Sequence, residues 1–462
     1  MMIRSFIVLI LFFSVFKSLA IFLTTYNLFG DEAQYWLWSK ELSFGYLSKP
    51  PLIAWVIYLY TSIFGESFQA LKHLPILIYF LTSFAIYAFC KRLNLDTGLS
   101  ALCSLSFLIM PAVSLSSFIV STDVLLLLFW TLSMSSLLQI KEKPSNLNFT
   151  ILGIMLGMGF LSKYAIIYFF ISLFFVMFFD KKLRGVFFTN YSKIALCLIS
   201  FIIVIFPNVL WNANNGWLTL SHTSDNANLK NFDPNFLRGV YFLALQIFMV
   251  GPLLFVGVLI NIRRVNIDKN NIFLLCFSVP IIFIVLVESI IVRANANWAA
   301  VALICVLVLL IRVLKNLNVT IIVLNFAFNF IFGFLLFSLI ASSSNLRVFD
   351  RIIGIKEFSN DLILQMGDNS NIVVVDRLLF SSLSYEYRNK NYNLLMPLKP
   401  GESITKHFQI NSALEKNMSK NFILVGESAE IFYLENKPNI KYLTTLTPRF
   451  ISSPLKIHEV SF

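Results

Sequence analysis

The chain has 462 residues, is 58% hydrophobic and only 13% charged, which excludes an ordinary soluble globular protein. Its net charge of +12 would suggest nucleic acid if spread over a soluble surface. The basic residues instead cluster in short linkers between apolar runs, so the charge reports topology and nucleic acid is excluded as a partner.

The first apolar run covers residues 3–24. Arg4, the run and Ser18-Leu19-Ala20 resemble a signal peptide, but Lys17 interrupts the run and its length suits a span. A retained first transmembrane helix is expected.

A long loop follows at 25–70, rich in Trp, Tyr and Phe. Gly30-Asp31-Glu32-Ala33-Gln34-Tyr35-Trp36-Leu37-Trp38-Ser39 reads as a short helix on the membrane surface, with aromatic rings suited to the interface. Asp31 falls in its first turn, where the helix dipole favours a carboxylate. Ser48-Lys49-Pro50-Pro51-Leu52 predicts a second surface helix started by the prolines. Lys49 then lies just before an N-terminus that already favours an anion, a good place to meet phosphate. The plainer reading is an interfacial helix with snorkelling charges.

Further apolar runs lie at 71–90, 98–112, 121–139, 149–162, 164–179, 193–210, 237–260, 272–292, 297–314 and 319–341. Together they predict an α-helical polytopic membrane protein of about eleven transmembrane helices. Arg4, Lys91-Arg92, Lys141 with Lys143, Lys181-Lys182 with Arg184, Arg263-Arg264, and Arg312 with Lys315 fall on one side, which the positive-inside rule makes cytoplasmic. The basic flanks of 149–179 require an even number of passes between them, so the stretch divides at Ser162-Lys163-Tyr164. Gly153 and Gly157 have the small-xxx-small spacing of packed membrane helices. The five cysteines fall in or at the ends of apolar runs and read as small core residues.

Several polar residues belong to the outer ends of these helices. Asp123 follows Ser121-Thr122 at the start of the fourth span. An ionisable residue at membrane depth is a functional candidate by default, against the alternative that Thr122 or Asp123 merely caps the helix. The outer linkers add Lys163, the second long loop 211–236 with Trp211-Asn212, Trp217, His222 and Asp225-Asn226, and Arg293-Ala294-Asn295-Ala296-Asn297-Trp298. His222 has no second histidine near it, so no cofactor is certain, and a divalent metal stays open as an alternative that the sequence does not support. A Gly-rich phosphate loop, His-Glu-x-x-His and Gly-x-Ser-x-Gly are all missing.

Residues 342–462 are soluble in character, and Ile372–Val375 and Phe422–Val425 read as buried strands of a small α/β domain. The predicted division is therefore a membrane domain over 1–341 and a soluble domain over 342–462. An odd number of spans places the N-terminus in the cytoplasm and the soluble domain outside it.

These motifs, in this order and on one membrane face, resemble the polyprenyl-phosphate-dependent glycosyltransferases of the GT-C superfamily. The likeness is to bacterial family 39, related to protein mannosyltransferases and to lipid A aminoarabinose and galacturonosyl transferases. It spans roughly residues 1–340 and rests on Asp31–Trp36, Lys49-Pro50-Pro51-Leu52, Thr122-Asp123, Ser162-Lys163, Trp211-Asn212 with His222-Thr223, and Asn295-Ala296-Asn297-Trp298. The resemblance implies sugar transfer from a polyprenyl-phosphate donor to a lipid, glycan or protein acceptor at the periplasmic face of the bacterial inner membrane.

It also implies catalytic roles for Asp31 and Asp123 and substrate contacts for Glu32, Tyr35, Lys49, Lys163, His222, Arg293 and Asn297, with Lys49 on the lipid phosphate. Aminoarabinose-type enzymes carry a metal-linked glutamate just before Lys-Pro-Pro; Ser48 stands there instead. A transporter or lipid flippase is the competing class, but it predicts repeat halves and midplane polar residues. Neither is present in the sequence.

Overall fold

Each of the eleven apolar runs is helical in the computed structural model, which describes residues 2–227, 232–366, 370–402, 404–451 and 453–462. Among the described residues, seven helices are long and apolar enough to cross a membrane alone: Arg4–Leu23, Phe68–Arg92, Thr122–Glu142, Tyr191–Asn214, Lys269–Ile291, Ala296–Lys315 and Val319–Ala341. Two more candidates are bent pairs, Tyr164–Phe179 with Lys181–Thr189 and Phe236–Val250 with Pro252–Ile260. Thr97–Ile109 and Asn146–Ser162 are shorter apolar helices. The protein is a multi-pass membrane protein.

The expected single span over 237–260 is instead two helices bent by 98°. Gly251 at the break has φ +127, a backbone state open to glycine, and Pro252 starts the second helix without an N–H to continue the first. Asn329 Nδ2 donates to the Val250 carbonyl at 3.1 Å, satisfying a group near the break. The stretch 149–179 does divide where charge parity required. Asn146–Ser162 ends at Lys163, whose extended backbone (φ −161, ψ 134) leads into a 3-10 turn at Tyr164–Ile167.

Gly153 and Gly157 serve helix packing. A Cβ on Gly153 would collide with Cys197 O and Ser200 Oγ of the Tyr191–Asn214 helix, and one on Gly157 would lie 2.7 Å from Val204 Cβ.

The chain divides into two units, and the division does not follow the linear boundary at 341. The membrane unit holds residues up to Phe22, Lys49–Ile53 and Gln69–Leu339. The second unit combines Leu23–Ser48, Ala54–Phe68 and Ile340–Phe462, so most of the first long loop belongs with the C-terminal segment. The Gly30–Trp38 helix buries Trp36 and Trp38, and residues of the Arg377–Glu386 helix pack against it. Gly30 allows this approach, because a Cβ there would meet Leu378 Cβ at 2.9 Å. Trp36 meets the Tyr385 ring edge-on at 5.0 Å.

The second unit contains a six-stranded sheet of β1 (Asn371–Val374), β2 (Asn393–Pro397), β3 (Ala413–Leu414), β4 (Phe422–Val425), β5 (Asn439–Leu446) and β6 (Leu455–Ser461), ordered β3-β2-β1-β4-β6-β5. The two strands foreseen from their unbroken apolar runs, β1 and β4, lie centrally and pair in parallel, Val373 opposite Leu424. Strands buried on both faces read as such runs. β6 closes antiparallel on β4 and carries β5 at the edge.

Candidate active site

In the membrane unit, three sequence-predicted residues meet at one carboxylate. Asp123 occupies the first turn of Thr122–Glu142. Lys163 Nζ donates to its Oδ1 at 2.6 Å and Asn297 Nδ2 to its Oδ2 at 2.9 Å. The side chains of Asp123 and Lys163 are only 13% and 18% exposed. Asp123 is not spent on capping its own helix: the N-cap residue is Ser121, with no side-chain cap bond. The helix N-terminus adds a favourable dipole to the two donors. Lys163 can be here because the break between two helices projects it, and Asn297 because it sits in the 3-10 turn Ala296–Ala299.

Polar groups next to Lys163 extend the cluster. Tyr164 OH donates to Asn208 Oδ1 at 3.1 Å, and Asn212 Nδ2 reaches Tyr164 OH at 3.3 Å. Asn212 was singled out from sequence; Asn208 was not. Its signal was present, since 208 and 212 share one face of a helix by their spacing of four.

Two buried lysines were also missed. Lys17 Nζ donates to Ser117 Oγ and Lys72 Nζ to Phe118 O, each at 3.0 Å. Lys72 Nζ also lies 4.2 Å from the Phe118 ring centroid. Both therefore hold the turn that leads into Asp123.

In the second unit, the Gly30–Trp38 helix separates its two adjacent acids. Glu32 is 2% exposed, and its Oε2 accepts from the Phe29 backbone N–H at 2.8 Å, the reciprocal half of a capping box. Asp31 is half-buried and makes no hydrogen bond or ion pair among the described residues. Glu32 thus serves its own helix, while the Asp31 carboxylate is available. Tyr35 is buried against Trp38, ring centroids 5.4 Å apart.

Glu66, which sequence reasoning passed over, braces this helix. Its carboxylate takes Trp36 Nε1 at 3.2 Å and Lys40 Nζ, and its carbonyl takes Tyr385 OH at 2.9 Å. Burial pushes the Tyr385 phenol up to about 12. Trp38 stacks on Tyr46 at 4.5 Å and meets His407 edge-on. Burial holds the His407 imidazole down at about 4.

The remaining predicted residues are more dispersed. Lys49 belongs to the membrane unit, half-buried, three residues ahead of the Leu52–Phe64 helix that the prolines foretold. His222 lies on a short helix, Leu218–Ala227, inside the second long loop. Residues 228–231 of that loop lie outside the described residues. Arg293 is exposed and forms no ion pair among the described residues. Among the described residues no three His, Cys, Asp or Glu side chains gather as a metal site would require.

A family model described as dolichyl-phosphate-mannose-protein mannosyltransferase matches residues 48–211. The lipid A galacturonosyltransferase RgtD of Rhizobium johnstonii is 29% identical over 307 residues, 65% of this chain and 63% of that protein. The match thus takes in less than two thirds of that relative's length. The structure of ArnT from Cupriavidus metallidurans in the apo state has a TM-score of 0.71 at 12% identity over 98% of each chain. Its complex with undecaprenyl phosphate gives 0.67 at 13% identity, over 98% of this chain and 97% of that one.

The chain has the fold of ArnT.

The segment matched by the family model runs from Ser48 to Trp211 and so includes Lys49, Asp123, Lys163 and Asn208. Asp31 and Asn297 lie outside that segment.

Proposed function

We propose that the protein is a glycosyltransferase that moves a sugar from a polyprenyl-phosphate donor to a lipid, glycan or protein acceptor. The single observation that carries this reading is Asp31, a half-buried carboxylate left unpaired at a helix N-terminus among the described residues while its neighbour Glu32 is engaged. Such an acid is kept for a ligand or a proton. The names of the similar proteins support the substrate class: one is a lipid A galacturonosyltransferase, and ArnT is seen with undecaprenyl phosphate.

In the reaction, an acceptor oxygen forms a bond to the anomeric carbon as the bond from that carbon to the phosphate oxygen breaks. The polyprenyl phosphate leaves with the bonding pair. A hydroxyl acceptor passes its proton to Asp31; a phosphate acceptor needs no base, and Asp31 then orients the sugar. Lys49 offsets the charge growing on the departing phosphate. Asp123, held by Lys163 and Asn297, provides a second fixed acid for the sugar hydroxyls, with His222 and Arg293 as further contacts for substrate.

The positive-inside rule supports a cytoplasmic position for the helix ends near Arg92, Lys141 and Lys181, and with it a periplasmic one for the Asp123 end and for the C-terminal segment. The test is to incubate the purified full-length protein with a set of undecaprenyl-phosphate sugars and measure released undecaprenyl phosphate. Release from at least one donor, lost in Asp31→Asn, supports the reading; no release from any donor removes it.

A further inference from the structure

A cavity of about 500 Å³ opens at the basic end of the membrane unit. It lies between the ends of the Phe68–Arg92, Thr122–Glu142 and Tyr168–Phe179 helices and the starts of Lys181–Thr189 and Lys269–Cys276. Its walls have two chemistries. Leu138, Val176, Phe179, Ile272 and Phe273 supply an apolar part, and Arg92, Lys141, Lys181, Lys182 and Lys269 supply cations.

The cations exceed the available carboxylates. Asp180 is already engaged: Lys141 Nζ is 2.5 Å from its Oδ2, and the Lys182 and Leu183 N–H groups donate to Oδ1 at 3.1 Å each. Arg92, Lys181, Lys182 and Lys269 make no ion pair among the described residues, and Glu142 is the remaining acid of the lining. A pocket with unpaired cations above an apolar floor suits a group that is anionic at one end and hydrocarbon at the other.

The position agrees with this. Asp123 and Lys141 lie eighteen residues apart on one helix, about 27 Å at 1.5 Å per residue. The hydrocarbon core of a bilayer is about 30 Å thick. The cavity therefore lies a bilayer's depth from the Asp123 cluster, at the headgroup level of the other leaflet.

We infer that this cavity binds the headgroup of an anionic phospholipid, seating its phosphate among Arg92, Lys182 and Lys269 and the first carbons of its chains on Phe179 and Phe273. Basic pockets between membrane helices recognise lipid headgroups in this way, each cation adding about one order of the binding constant at most. The site takes no part in the proposed transfer, so it stands whether or not that reading does.

The test titrates purified full-length protein in detergent with phosphatidylglycerol or phosphatidylcholine and counts bound lipid by native mass spectrometry. Phosphatidylglycerol should bind preferentially. Arg92→Ala/Lys269→Ala should weaken it by roughly 10- to 30-fold, whereas the charge-matched Lys143→Ala/Arg263→Ala should not. Lys181→Ala/Lys182→Ala, on an exposed helix face, provides a second loss variant should the first fail to fold.

Equal binding of the two lipids, or equal losses in test and control pairs, overturns the site. Displacement of phosphatidylglycerol by millimolar inorganic phosphate makes it a free-anion site and overturns the lipid assignment. Displacement by undecaprenyl phosphate, lost in the same variants, replaces the phospholipid by a carrier lipid and overturns it too.

Discussion

Lys163 Nζ lies 2.6 Å from Asp123 Oδ1, tying the break between two membrane helices to the first turn of a third. Neither residue has any water-like freedom to spare, since both are mostly buried. A pair in such a place is held by hydrogen bonding as much as by charge, and removing one partner leaves the other under-satisfied.

Lys163→Met should therefore lower stability by roughly 1–3 kcal/mol and reduce transfer more than Asn297→Ala does. A double-mutant cycle of Lys163→Met with Asp123→Asn, followed by thermal unfolding, should show coupling of the two changes. Strict additivity would mean that the contact carries no energy.

Helix packing gives a second expectation. Gly153→Leu places a side chain against the Cys197 carbonyl and Ser200 of the facing helix, and backbone cannot withdraw cheaply. The variant should lose at least about 2 kcal/mol or fail to accumulate, while Gly185→Leu, with open space around it, should behave as wild type. Equal yields and unfolding temperatures for the two would contradict the packing.

Much of this was legible in the sequence, and the reasons are specific. Apolar runs announce membrane helices because lipid demands them, and charge parity alone placed the break at Lys163. The Asp123 cluster was half legible: Lys163 and Asn297 were singled out, but nothing in the linear order says that residues so far apart share one carboxylate. The bend at Gly251 was hidden, because a glycine followed by proline inside an apolar run also fits a straight, merely kinked span. The association of residues 23–48 with 340–462 was hidden for a different reason. Trp36 and Trp38 read as membrane-interface aromatics, and only the fold shows Tyr385, Tyr46 and His407 as what they pack against.

His407 predicts a pH dependence. Its pKa is held at about 4 in the fold against the usual 6.5, so between those values the unfolded chain binds a proton that the folded chain does not. Stability then falls as pH falls from about 6.5 to 4, by up to about 3 kcal/mol. Thermal unfolding across pH 7 to 4 should show a smaller decline in His407→Gln than in wild type. Parallel slopes for the two proteins would assign the acid sensitivity to other groups.

The proposed orientation can be read directly. A reporter that functions only in the cytoplasm, fused after residue 345, should be silent. An active fusion would place the C-terminal segment in the cytoplasm and mean that one span was miscounted.

Lys49 and Lys40 separate a phosphate contact from a general interfacial charge. Lys40 already pairs with Glu66 on a partly exposed surface, where an ion pair contributes little, so Lys40→Ala should change transfer by no more than a few-fold. Lys49→Ala should lower it roughly ten- to several-hundred-fold, and Lys49→Arg should recover part of that. Similar mild losses at both positions would remove Lys49 from the phosphate.

The most direct measurement is single-turnover release of undecaprenyl phosphate from a sugar-loaded undecaprenyl phosphate donor, comparing wild type with Asp31→Asn at matched folded protein. Asp31 is half-buried and unpaired among the described residues, so its amide should cost the fold only about 1 kcal/mol and leave the unfolding temperature near that of wild type. The account predicts release by wild type and its abolition in the variant with donor binding retained. Undiminished release by a folded Asp31→Asn protein would contradict it.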